Sequence, residues 1–431
     1  MTGPLRIRWQ AVAVAFILLW GSAQPATAIE YQITDIEIRG NEKTRREILL
    51  RELGFSVGMT VSAAEIEKGR NSIMALGLFT TVETRLHPTK AGHLLRVHIR
   101  EKYFFLPVPI VNVSGDGDWT YGVMSQTENL LGLNQQLKVM FRHKIYHDAD
   151  IKREDRLQIR YQTPRIANSL FGLELGLYRE RALLDEVRQK RAGSYERQLT
   201  GGGITVSRWL RTEGPSRGWR LSVGLQRQAY EHTLLSGDAG LLFNTGVFTV
   251  LTRLENKMIT ASADHRTGQH YGYELQNITP GVRRTISRHF GFYRSYQDFG
   301  FGKAAQLHTH LRAGVCSGSV FGNPCFSLGG DTTIRGVRRD TLEGDMFVLS
   351  NVQLLIPLAG TQYIRGVVFL DAGAVAGSIS RATPRRSAVG VGAGLVWKMT
   401  RFVRTDIRIE LAHGLGAKGG NRVYAATSML F

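Results

Sequence analysis

This chain of 431 residues is poor in cysteine, with two, and in proline, with eleven, and only 21% of its residues are charged. Two cysteines cannot build a disulfide scaffold, and the shortage of proline and charge excludes a collagen or a disordered chain. No internal stretch approaches the roughly 20 apolar residues that a spanning helix needs, which excludes a helical membrane protein. Glycine is in excess, with 48 residues against the roughly 7% usual for proteins, and 55 Lys+Arg against 36 Asp+Glu give a formal charge of +19. What remains is a β-rich chain of one to three domains whose basic balance suits nucleic acid, anionic lipid or a charged lumen.

The first residues decide among these. Arg6 and Arg8 precede an apolar run from Ala11 to Trp20 and a small-residue stretch ending Ala26-Thr27-Ala28. This is the layout of a secretory signal over residues 1–28, with an uncleaved anchor as the alternative. Export sets nucleic acid aside as a partner.

Residues 29–102 form a small mixed domain. Ile33, Ile36 and Ile38 lie in a β-prone run that stops at the turn pair Gly40-Asn41. Thr44 and Glu47 have capping-box spacing ahead of the apolar stripe Ile48, Leu49 and Leu53, with Gly54 as the stop. Ser62 and Glu65 repeat the device ahead of Ile66, Ile73 and Leu76. Strands over Phe79 to Leu86 and Leu94 to Arg100 complete the order strand, helix, helix, strand, strand. Such a sheet leaves an edge to which an extended chain can pair; an ordinary α+β domain whose edge binds nothing is the alternative.

From residue 103 to 431 the pattern is period two. In Phe402 to Leu411, Val403, Thr405, Ile407, Ile409 and Leu411 share one face, and Arg404, Asp406, Arg408 and Glu410 share the other. Four charges cannot be buried against an apolar core, so that face meets water or other charges. Leu170 to Tyr178, the alternate residues from Trp219 to Leu225, and Leu157, Ile159 and Tyr161 repeat the alternation. Apolar on one face and polar on the other is the signature of a membrane barrel, which must close because lipid satisfies no backbone polar group. A pair of soluble sandwiches is the alternative, and it leaves the charged inner faces unexplained. At roughly 20 residues per strand and connection the segment yields about 16 strands, and Phe431, with Met429, Ala425 and Val423, suits a closing strand with a terminal aromatic.

Four short constellations carry a family resemblance. They are Ile36-Glu37-Ile38-Arg39-Gly40-Asn41 with Leu76-Gly77-Leu78-Phe79; Asn129-Leu130-Leu131-Gly132; Gly329 to Arg338, containing Ile334-Arg335-Gly336-Val337; and Phe369-Leu370-Asp371-Ala372-Gly373. With them the chain resembles the BamA/TamA superfamily of outer-membrane assembly and translocation proteins, also called bacterial surface antigens. The resemblance implies one periplasmic POTRA domain followed by an outer-membrane barrel of about 16 strands. It implies that Asn129 to Gly132 form the turn after the first barrel strand. It also implies that Arg335 and Gly336 sit at the tip of a long loop folded into the barrel, docked against Asp371 and Gly373 of the wall. A carboxylate there offsets the desolvation of the arginine, and the two glycines permit close approach. Val337 stands where the family usually has an aromatic residue.

Cys316 and Cys325 lie shortly before the loop motif, and in an exported chain such a pair points to a disulfide ahead of a metal site or a reactive thiol. Gly390 to Gly394 suits a barrel strand better than a dinucleotide loop, and His147-Asp148-Ala149-Asp150 suits a hairpin better than a hydrolase centre. No nucleophile, base and acid form a set, so neither enzymatic activity nor a cofactor is expected. The expected partners are unfolded outer-membrane or secreted polypeptides, outer-membrane lipids, and accessory periplasmic or lipoprotein factors. A passive porin and an outer-membrane hydrolase are the rival functions, and nothing in the sequence chooses between an insertase and a secretion pore.

Overall fold

The computed structural model describes residues 29–426 except 148–150, 168, 189–190, 213–216, 238–243, 262–264, 282–283, 301–304, 319–323, 359–362, 378–385, 399–405 and 417. The signal segment, Phe402 to Thr405, Met429 and Phe431 therefore lie outside the described residues.

The N-terminal domain runs β1 (Glu30–Arg39), α1 (Arg46–Leu53), β2 (Thr60–Ser62), α2 (Ala63–Ala75), β3 (Phe79–Thr89) and β4 (Gly92–Glu101). Its sheet order is β2-β1-β4-β3, with β1 parallel to β4 and β3 at a long free edge. One sheet face is covered by both helices, which bury Ile48, Leu49, Leu53, Ile66 and Ile73 against Ile33, Ile36, Leu95 and Val97. The capping box of Ser62 and Glu65 is formed, with each side chain taking the other residue's backbone N–H.

Two expectations about this domain are corrected. The three-residue strand β2 stands between the helices, because Tyr31 and Gln32 of β1 extend far enough to pair with Val61 and Thr60 just before Ser62 starts α2. The box of Thr44 and Glu47 does not form: α1 begins at Arg46 behind Arg45 with no side-chain cap. The hydroxyl of Thr44 is instead taken by the barrel, as described below.

Sixteen antiparallel strands close the barrel. They are β5 (Phe105–Val113), β6 (Trp119–Leu130), β7 (Gln135–Ile145), β8 (Ile151–Thr163), β9 (Phe171–Arg188), β10 (Arg191–Thr212), β11 (Gly218–Gly237), β12 (Thr245–Ala261), β13 (Arg266–Pro280), β14 (Ile286–Asp298), β15 (Gln306–Cys316), β18 (Met346–Pro357), β19 (Ile364–Ala376), β20 (Arg386–Lys398), β21 (Asp406–Gly416) and β22 (Asn421–Ala426). Between β15 and β18 a long loop carries the small ladder of β16 (Phe326–Leu328) and β17 (Leu342–Gly344). Leu157, Ile159, Leu177, Val223, Leu225, Ile409 and Leu411 point outward and are exposed, forming the apolar belt that lipid covers.

The segment Asn129 to Gly132 spans the end of β6, the second barrel strand, and the turn after it, rather than following the first. Strand β5 escapes a count by alternation because Pro107 and Pro109 interrupt it. Arg408 and Glu410 of β21 are buried, so the charged face expected there meets other charges and not open water.

Candidate functional site

The loop between β15 and β18 folds into the lumen and builds its own small core there. Phe326, Leu328, Ile334, Val337 and Leu342 are buried against Phe347, Leu349, Val375 and Ala388 of the wall. Val337, smaller than the aromatic residue expected at its position, is fully buried and forms a backbone bridge with Gly419. Cys316 ends β15 and Cys325 precedes β16; their sulfurs are bonded at 1.97 Å, joining the root of the loop to the strand it leaves.

At the loop tip the Arg335 side chain is 2% exposed and faces two carboxylates, Asp371 at 0% and Glu410 at 1%. Its Nε and Nη2 donate to the two oxygens of Asp371 at 2.7 and 2.8 Å, and its backbone N–H reaches the same carboxylate at 3.1 Å. Nη1 donates to Glu410 at 3.0 Å, and the guanidinium lies over the Phe369 ring, 3.4 Å from its centroid. Asp371 accepts a further hydrogen bond from Asn351 at 2.7 Å, and Glu410 accepts one from Arg408 at 3.2 Å. Bidentate geometry and a filled acceptor set are what make a buried charge tolerable at all.

Glycines form the floor beneath this contact. A Cβ on Gly390 would lie 1.9 Å from the carbonyl oxygen of Arg335, and one on Gly414 would lie 2.2 Å from that of Gly336. Gly336 has φ +85°, a region that disfavours side chains, and Gly373 leaves the space that Ile334 and Leu328 occupy. The hydroxyl of Tyr424 on β22 accepts from the N–H of Gly336 at 2.9 Å.

The structure thus brings together Arg335, Gly336, Asp371 and Gly373. Glu410, Phe369, Asn351 and Tyr424 were missed as members of the site. Glu410 was visible as an acid on a lumen-facing strand, but alternation does not say which loop residue reaches it. His147 offers its backbone N–H to Asp118 at 3.0 Å, and its companions Asp148 to Asp150 lie outside the described residues. Among the described residues no group of three or more His, Cys, Asp or Glu could hold a metal ion.

A second contact joins the two domains. Asn129, near the end of β6, donates to the Thr44 hydroxyl at 2.8 Å, and the Arg45 N–H donates to the carbonyl of Gly132 in the turn after β6 at 3.0 Å. A Cβ on Gly132 would meet the Lys43 carbonyl oxygen at 2.2 Å, so the turn needs glycine there. Arg51 reaches the Ala167 carbonyl in the turn after β8 at 3.2 Å. Beside it Glu52 is buried, which pushes its carboxyl above the ordinary range, while Arg51 and Arg165 pull it back down.

The third feature is the seam between β22 and β5. Among the described residues Val113 pairs with Ala425 across it. The N–H of Glu128 donates to the Phe104 carbonyl, which assigns the even-numbered residues of β5 to bonding with β6 and turns the odd-numbered ones toward the seam. Two of those five odd-numbered residues are Pro107 and Pro109, which have no N–H to give.

A barrel of sixteen strands with an anchored internal loop and a docked α+β domain defines a class of membrane protein. Residues 129–412 match the Omp85 superfamily domain, and residues 31–102 match POTRA, the surface antigen variable number repeat. The chain belongs to the Omp85 superfamily of outer-membrane β-barrels.

It is 24% identical over 423 residues to the outer membrane protein assembly factor BamA of Neorickettsia risticii (strain Illinois), covering 90% of this chain and 54% of that one. The chain thus spans about half the length of this curated relative. Its fold is similar to CdiB from Acinetobacter baumannii, with a TM-score of 0.67, 15% identity and coverage of 92% of this chain and 73% of that one. It is also similar to BamA from Haemophilus ducreyi lacking POTRA domains 1–3, with a TM-score of 0.54, 15% identity and coverage of 92% and 83%.

Proposed function

We propose that this protein inserts polypeptides into the outer membrane or passes them across it, capturing them with its POTRA domain on the periplasmic side. The wall opens at the seam between β5 and β22, and the free edge of β3 offers backbone pairing to an extended client. The observation that carries this reading is the pair of prolines on the seam edge of β5. Neither proline has an N–H to donate across the seam, and a donor is worth about 1 kcal/mol net in water and more in lipid, which lowers the cost of parting the wall there. The relative named as an assembly factor points the same way, and the apolar belt makes outer-membrane lipid the surrounding medium.

The experiment is a lock. Cysteines introduced at Val113 and Ala425 and oxidised to a disulfide should stop insertion or transport of a client by the full-length protein in lipid vesicles, with single-cysteine variants treated alike as controls. Undiminished client handling by the locked barrel would overturn the proposal. Deletion of residues 31–101 separates it from a passive porin, whose conductance needs no capture domain. Outer-membrane proteomics of a depletion strain separates the two branches, since broad loss of barrels means insertion and loss of one secreted protein means transport.

A further inference from the structure

The register that pairs Val113 with Ala425 also sets Asp116, in the turn joining β5 to β6, opposite Arg422 of β22. The two side chains meet: Nε and Nη2 of Arg422 both lie 3.1 Å from Oδ1 of Asp116. A Cβ on Gly115 would come within 2.4 Å of the Arg422 Cβ, so the turn rests directly on the stem of the arginine.

The internal loop joins from inside. The remaining guanidinium nitrogen of Arg422 donates to the Gly336 carbonyl at 3.2 Å, and the second oxygen of Asp116 accepts the Arg339 backbone N–H at 2.7 Å. Arg339 pairs with Asp118 and lies over the Tyr146 ring, 4.7 Å from its centroid, while Lys144 reaches Asp118 at 3.3 Å. One loop therefore touches the first turn and the last strand, which are the two banks of the seam. The Arg422 and Asp116 side chains are 14% and 7% exposed, against 2% and 0% for Arg335 and Asp371. They sit where salt and water can still compete.

We infer that Asp116, Arg422 and the loop backbone at Gly336 and Arg339 form a clasp that holds the seam shut at its extracellular end, and that release of this clasp, with Arg335 still anchored, is the step that lets the wall part. The inference rests on the seam being the place of opening, as proposed above. It adds that side chains contribute to the closure at that end.

The test reads the seam without any client. In the full-length protein carrying cysteines at Val113 and Ala425, in phosphatidylcholine vesicles, the rate of disulfide formation under a fixed oxidant reports how often the two banks meet. Asp116→Ala should slow it about threefold to fivefold, the scale of a partly exposed ion pair, and Asp116→Glu should restore most of the rate. In the parent, raising KCl to about 1 M should slow it similarly, because the Debye length then falls to roughly 3 Å; in Asp116→Ala salt should have no further effect. An unchanged rate in Asp116→Ala overturns the clasp, as does an equal salt response in parent and variant. The salt response of the parent alone decides the matter should the variant fail to fold. Because no client is present, loss of the clasp leaves the client-handling experiment to stand or fall separately.

Discussion

The wall from β19 to β21 and the seam from β22 to β5 flank the same internal loop and hold together by opposite means. In the wall the ladder is long and Gly373, Gly390 and Gly414 lie beneath the loop, so its tip presses down until its arginine is fully enclosed by two acids. At the seam the first strand carries two prolines on its seam edge, and the loop adds partly exposed side-chain contacts. Permanence is thus assigned to a buried ion cluster and release to an ionic contact within reach of solvent. Both use Arg and Asp; burial and the number of remaining partners make the difference.

Breaking the strong side of this contrast gives the largest effect. Arg335→Ala leaves Asp371 and Glu410 enclosed without their shared cation, a loss on the order of 3–5 kcal/mol for a buried pair. The loop should then become open to protease in intact vesicles while the barrel still migrates as a folded species on unheated gels. Exchanging the charges, Arg335→Asp with Asp371→Arg, recovers little in this geometry, because the new carboxylate faces Glu410.

Strengthening the weak side gives an intermediate effect. Pro107→Ala and Pro109→Ala each return one N–H to the seam, about 1 kcal/mol apiece. The double variant should be more heat-resistant and slower in client handling, and a more stable barrel with unchanged activity would refute the role given to the prolines.

The smallest effect lies where the two domains meet. Burial raises the Glu52 carboxyl, so its favourable contribution is complete below the ordinary carboxylate range and is lost as pH rises through the raised value. Hydrogen exchange of residues 46–53, corrected for intrinsic rate, should show more protection at pH 5 than at pH 7, and Glu52→Gln should flatten that difference.

The architecture was largely legible in the sequence, because a period of two with one apolar face admits few solutions once export is granted. The capping box at Ser62 and Glu65 was equally readable, since both partners lie within one turn of chain. Thr44 and Glu47 have the same spacing and no box, because Asn129, distant in sequence, competes for the Thr44 hydroxyl. No local pattern reports such a competitor. For the same reason Glu410 and Tyr424 stayed invisible as neighbours of Arg335: their approach depends on the closed register of β19 to β22 and on how deep the loop descends. The displacement of the Asn129 turn to the second hairpin has a different origin. Two prolines made the opening strand look unlike a strand.

Those prolines bear on more than one molecule. A strand edge that hydrogen-bonds readily would recruit the matching edge of any neighbouring copy, and in a crowded membrane parted barrels would fuse with each other before meeting a client. An edge lacking donors at two successive outward positions is a poor template for its own kind. It still leaves carbonyl acceptors for a strand that brings donors of its own.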